Sequence, residues 1–259
     1  DTLRVVSYNV ENLFDCKHDS LKNDYEYLPQ EDRHWTPDKY KKKLANIARV
    51  ISTIGQWKAP VLVGLMEIEN KNALFDLTMH SPLSNLEYKF IHSESPDMRG
   101  IDVALLYQPK QFKPIKTSFY SIKFPENPKS KTRDILYTAG ILSNGDTLHV
   151  FVNHFPSRLG GEKASEHKRV YVASLLKTKV DSLFNTTSSP NIIIMGDFND
   201  YPSNKSIKET LGAQQPDSLP KTKSLYNLYS QFEVNETIGS HKYRGDWGIL
   251  DQIIVSGNM

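Results

Sequence analysis

Residues 191–200 read NIIIMGDFND, an apolar run that passes into a Gly turn and then presents Asp197, Asn199 and Asp200 within four positions. A short buried strand that ends in a carboxylate and an amide puts polar groups at the carboxyl end of a sheet, where open α/β folds bind their ligands. An isolated GDxND reads as an Asx-rich turn. Here the pattern recurs: SYNVEN (7–12), VLVGLMEIEN (61–70), HVFVNHFPSR (149–158) and ILDQIIVS (249–256) each couple a β-type apolar run to Asn, Glu, His or Asp.

Working outward, the chain opens with the alternating segment LRVVSYNVENLF, followed over 15–35 by a charged, Tyr-rich stretch that reads as a long surface loop. Thr36 is placed to cap a helix with Pro37 in its first turn, and Tyr40, Leu44, Ile47, Ile51 and Ile54 recur at helical spacing up to Gly55. The Lys41–Lys43 cluster reads as that helix's solvated face. A strand over 61–65 and a helix around 70–79 are expected next. Tyr88–His92, Asp102–Tyr107 and Ile135–Leu142 then read as strands, and Asn144-Gly145 as a two-residue hairpin turn. Arg169, Val172, Ala173, Leu176, Val180 and Leu183 mark a second amphipathic helix. The stretch after Asp200 reads as loop up to a closing strand at 250–255. Two mixed sheets packed face to face, with helices outside, fit this order. Asn9, Glu67, His154, Asp197 and Asp251 are then expected to meet in a cleft between the sheets.

At 259 residues the chain is long enough for one large domain, and no second boundary is visible. A formal charge of +2 argues against a protein that coats nucleic acid, while leaving room for an enzyme that touches a few phosphates. The single Cys16 excludes an intrachain disulfide framework and a cysteine-based zinc site. No apolar run approaches a membrane span. Because the chain starts at Asp1 rather than Met, a preceding segment is expected to have been removed; if that segment was a signal peptide, the protein is exported, periplasmic or extracellular, which is the expectation.

An all-oxygen set of carboxylates and amides suits a hard divalent cation that keeps part of its water shell, and Glu67 is the first candidate ligand. Asp197 is placed to accept a proton from an attacking water, and Asn199 to orient that water or a phosphate oxygen. His154, with Asn153 and Arg158 in NHFPSR, reads as part of an anion site. Arg99 in RGIDVA and Arg133 in TRDIL pair either with phosphate or with Asp102 and Asp134.

The ordered series SYNVEN, LMEIEN, RGIDVALLY, TRDIL, VNHFPSR, MGDFND and LDQIIVS resembles the endonuclease/exonuclease/phosphatase superfamily, the DNase I-like fold. NVENLFD, HWTP and NHFPSR are most similar to its bacterial extracellular nuclease-like members. The resemblance implies a single domain over 1–259, built as a four-layer α/β sandwich, and magnesium-dependent hydrolysis of a phosphate ester, with manganese or calcium as substitutes. It implies that Glu67, Asn9 and Asp251 serve the metal, Asp197 activates water and Asn199 holds the scissile phosphate. His154 donates to that phosphate, oriented by Asp102, with Arg133 close by. One departure stands out: the family closes with Asp-His, whereas this chain has Asp251-Gln252, which makes Gln252 a neutral phosphate donor. Either the site works with less electrostatic stabilisation, or another group such as His241 or Arg158 compensates, and His154 is expected to be held by Asp102 in a state that favours its charged form.

The leading expectation is a monomeric phosphodiesterase acting on nucleic acid as an endonuclease. The alternatives are a phosphatase or sphingomyelinase-like hydrolase of another phosphate ester, since fold does not fix substrate, and a catalytically weakened phosphate-binding module, motivated by Gln252.

Overall fold

The computed structural model describes residues 2–55, 57–216, 219–233 and 237–259. Its first half forms β1 (Val5–Leu13), α1 (Pro37–Ile54), β2 (Leu62–Ile68), α2 (Lys71–Met79), β3 (Lys89–His92) and β4 (Asp102–Tyr107). There follow β5 (Phe112–Tyr120), β6 (Ile135–Leu142), β7 (Thr147–His154), α3 (Glu162–Thr186) and β8 (Asn191–Asp197). The last part contributes β9 (Ala213–Gln214), β10 (Leu225–Asn227), β11 (His241–Tyr243), β12 (Asp246–Gly248) and β13 (Asp251–Ser256).

The strands make two mixed sheets, ordered β1-β2-β4-β3 and β5-β6-β7-β8-β13-β10-β9, with β11-β12 a separate hairpin. Strand alternation sorts the side chains into layers. Leu62, Met66, Val103 and Leu105 of the first sheet meet Leu148, Val150, Val152, Ile193 and Met195 of the second. The sheets approach so closely at Gly64 that a Cβ there would lie 2.6 Å from Met195 Sδ. The opposite face of the first sheet, with Val63 and Leu65, is covered by Leu44, Ile47 and Ile51 of α1 and Leu74 and Leu77 of α2. Val172, Leu176 and Val180 of α3 cover Phe151, Ile192 and Ile194 on the outer face of the second sheet. The result is the four-layer, DNase I-like sandwich. Among the described residues no helix is long and apolar enough to cross a membrane.

The local signals explain the main elements. Thr36 caps α1 by accepting from Lys39 N, Pro37 opens it, and Gly55 closes it. Asn70 caps α2 in the same way through Ala73 N. The 15–35 stretch is not a free loop: Tyr27 stacks on Phe14 at 4.0 Å, and Trp35 Nε1 donates to Phe14 O. The segment after Asp200 also differs from expectation, holding a π-helical turn, Ser206–Leu211, and four short strands.

Candidate active site

β7, β8 and β13 lie side by side, pairing His154 with Asp197 and Asp197 with Asp251 at the ends of three strands. All three side chains fall on the face toward the first sheet, where Asn9 of β1 and Glu67 of β2 oppose them. Gly196 makes the approach of β8 to β7 feasible. Its φ is 143°, and a Cβ there would lie 1.9 Å from Asn153 O. Glu67 occupies a bulge between Met66 and Ile68 with φ 67°, a left-handed conformation costly for a glutamate. The extra residue lets Met66 keep the inner face and Ile68 the outer one while Glu67 turns into the cleft.

Asn9 ties the two sheets together at this point. Its Nδ2 donates to Glu67 Oε1 at 3.2 Å and to Asp197 Oδ2 at 3.1 Å. Asp197 Oδ1 accepts from Asn199 N at 2.8 Å, and Asn199 Nδ2 donates to Phe155 O at 3.0 Å. Burial raises the Glu67, Asp197 and Asp251 carboxyls, Asp251 to about 8 with Asp197 adding repulsion. Asp251 Oδ1 is buried without a hydrogen-bond partner among the described residues. Three acids, Asp197 buried and Glu67 and Asp251 partly so, one with an orphaned oxygen, form a donor set that fits a divalent cation. His154 Nε2 lies 3.7 Å from Asp197 Oδ2 and 3.9 Å from Glu67 Oε1. Those separations are too long for hydrogen bonds. Burial, then Arg133 and Arg99, push the imidazole well below its ordinary range, so His154 is neutral.

The cleft above this floor measures about 860 Å³ and carries Arg33, Lys43 and Arg99 on its walls. Residues 4–259 match the sequence profile of the Endonuclease/Exonuclease/phosphatase family. The chain belongs to that family. No curated protein sequence matches it. Among solved structures, the human Nocturnin catalytic domain is similar at 17% identity and TM-score 0.63, over 98% of this chain and 82% of that one. D. rerio TDP2 complexed with a single strand DNA product is similar at 15% identity and TM-score 0.59, over 98% and 84%. A Bacteroides thetaiotaomicron mannosyl-6-phosphatase is similar at 17% identity and TM-score 0.62, over 98% and 85%. At these identities the likenesses speak to fold. The endonuclease/exonuclease/phosphatase family is one of hydrolytic phosphoesterases whose members typically use divalent metals.

Within this family member, the cleft gathers Asn9, Glu67, Arg99, His154, Asp197, Asn199 and Asp251. Five other expected site residues lie elsewhere. Asp102 does not hold His154: its Oδ1 accepts from Ser95 N at 2.8 Å, its Oδ2 lies 3.2 Å from His92 Nε2, and the expected charged imidazole is absent with it. Asn153 and Gln252 precede and follow cleft residues in their strands, so alternation turns both to the opposite face. Asn153 Nδ2 donates to Met195 O there. Gln252, fully buried, donates to Asp200 O at 2.6 Å and accepts from Asn227 Nδ2 at 2.6 Å. It is therefore no phosphate donor in this structure. Arg158 Nε donates to Asn199 O at 2.7 Å and its guanidinium covers Tyr201, which anchors the loop carrying Asn199. Arg133 is buried behind the floor, donating to Phe155 O at 2.6 Å and Asp97 Oδ2 at 3.1 Å.

Several cleft residues had no signal in the sequence. Lys43 leaves the solvated face assigned to it and donates to Glu11 O at 2.7 Å beside the cleft. Tyr229 and Ser240 come from the irregular 201–250 region, as does His241, which the sequence did offer as a group to compensate for Gln252. Ser240 Oγ accepts from Leu250 N and Asp251 N, which fixes the start of β13.

Proposed function

We propose that the chain is a divalent-cation-dependent phosphodiesterase acting on nucleic acid, with magnesium the expected metal. The observation that carries this reading is the convergence of Glu67, Asp197 and Asp251 on one cleft floor, two of them linked by Asn9. Glu67 and Asp251, supported by Asn9, would hold the cation, which when bound withdraws charge from the phosphoryl oxygens. Asp197 receives the proton of the attacking water; its raised affinity for protons makes it a better base near neutrality than an exposed carboxylate. Asn9 and Asn199 N hold its two oxygens in one orientation. Asn199 keeps one amide hydrogen for a phosphate oxygen, and neutral His154 offers a hydrogen bond beside it.

Three cations on the walls, Arg33, Lys43 and Arg99, favour a substrate with phosphates beyond the scissile one. The test is turnover of a single-stranded oligonucleotide, supercoiled plasmid, bis-aryl phosphate, monoaryl phosphate and sphingomyelin, each with magnesium and with chelator. Magnesium-dependent cleavage of the nucleic acids and bis-aryl phosphate is expected. Preference for the monoester or for sphingomyelin would move the assignment to a phosphatase or a lipid hydrolase, and no turnover of any would leave a phosphate-binding module.

A further inference from the structure

Beside the catalytic cleft lies a second hollow of about 310 Å³ that shares Arg99 and Ser157 with it. Arg99, Lys131, Arg133 and Lys168 face this hollow against one carboxylate, that of Asp97. Asp97 is already engaged: Oδ2 accepts from Arg133 Nη1 at 3.1 Å, and Oδ1 accepts from Arg99 N at 2.9 Å with Arg99 Nε 3.6 Å away. Two polar groups of the lining have no hydrogen-bond partner among the described residues. They are Thr132 Oγ1 and Arg133 Nε, in residues only 3% and 4% exposed. A buried donor left unpaired is costly, and more so when it is charged. A hollow lined by two arginines and two lysines, with two unpaired polar atoms among its lining residues, matches a ligand with several anionic oxygens.

We propose that this hollow is a second phosphate subsite, which takes the phosphate neighbouring the scissile one in an oligonucleotide strand. The inference rests on the reading of the floor as a phosphodiesterase centre and deepens it. The shared Arg99 and Ser157 make the hollow continuous with the cleft. On its far side it shares Phe124 and Lys168 with a third hollow that includes Tyr171. The cations Arg99, Lys131 and Lys168 along this path fit the successive phosphates of a single strand.

The experiment is anisotropy of a labelled short single-stranded oligonucleotide, in chelator so that nothing turns over. Wild type is compared with the Lys131→Ala/Lys168→Ala double variant and with Thr132→Val, after unfolding curves show all three folded. The double variant is expected to bind roughly tenfold more weakly, with the salt dependence shallower by about 1.4 in the log–log slope, as for two lost single-strand phosphate contacts. Thr132→Val should weaken binding to a smaller extent. In magnesium, bis-aryl phosphate hydrolysis should be unchanged in both variants. Unchanged oligonucleotide affinity, or an equal loss on bis-aryl phosphate, would overturn the subsite. Tripolyphosphate that competes as well as an oligonucleotide would overturn its assignment to a strand. Absence of all turnover by the wild type would defeat the phosphodiesterase reading, while the binding arm still decides the subsite.

Discussion

Asp251 and Gln252 are adjacent in one strand, yet one carries charge into the cleft and the other cross-links the opposite face. Gln252 donates to Asp200 O and Ile249 O and accepts from Asn227 Nδ2, all in the interior. Gln252→Leu is therefore expected to cost about 2–4 kcal/mol in urea unfolding, because it strands buried partners, without adding or removing a step in the pH–rate profile. Gln252→His should be similarly destabilising and should not raise the rate. Asp197→Asn, in contrast, keeps the shape and removes the base. Turnover should fall by roughly a hundredfold or more with an unchanged unfolding midpoint, and a folded variant with wild-type rate would refute the role. Which residues meet was legible in the sequence wherever a polar group ends an apolar strand, as at Asn9, Glu67, His154, Asp197 and Asp251. The errors at Asn153 and Gln252 were errors of parity, one position from a cleft residue. Arg133, Arg158 and Asp102 misled because a charged side chain's choice between substrate and internal partner depends on contacts that spacing does not encode.

At the scale of elements, the site depends on two backbone irregularities, the Glu67 bulge and the Gly196 contact. Gly196→Ala combines a left-handed φ with a clash against Asn153 O, so it should cost about 3 kcal/mol or more in thermal unfolding and displace Asp197. β4 and the cap of α1 were readable because hydrophobic period and capping chemistry agree there. β5 was not. Its FKPIKTSFY segment alternates lysines with apolar residues and contains Pro114, as an edge strand can, and its register shifts between Pro114 and Lys116. β9 to β12 are two or three residues long and are held by tertiary pairing, too short to leave a period. The β11-β12 turn did carry a trace in Arg244-Gly245, both at positive φ.

At the scale of the whole molecule, the two sheets bring excess acid to their shared rim, and stability should register this. Asp251, raised to about 8, favours the folded state most when protonated. That contribution is complete below about pH 4 and is lost as pH rises from there through about 8. His154 works the other way: its lowered affinity for protons is accommodated above about pH 6.5 and destabilises the fold as pH falls below it. A cation on the floor offsets the first effect, so magnesium should raise the melting temperature more at pH 8 than at pH 5.

The most direct test of the floor as a divalent-cation centre is calorimetric titration of magnesium into wild type and Glu67→Gln at pH 7, in two buffers of different ionisation enthalpy. The wild type should bind saturably and release up to about one proton per cation, as Asp251 ionises, while Glu67→Gln binds at least about tenfold more weakly. No binding by the wild type, or identical titrations of the two proteins, would contradict the assignment.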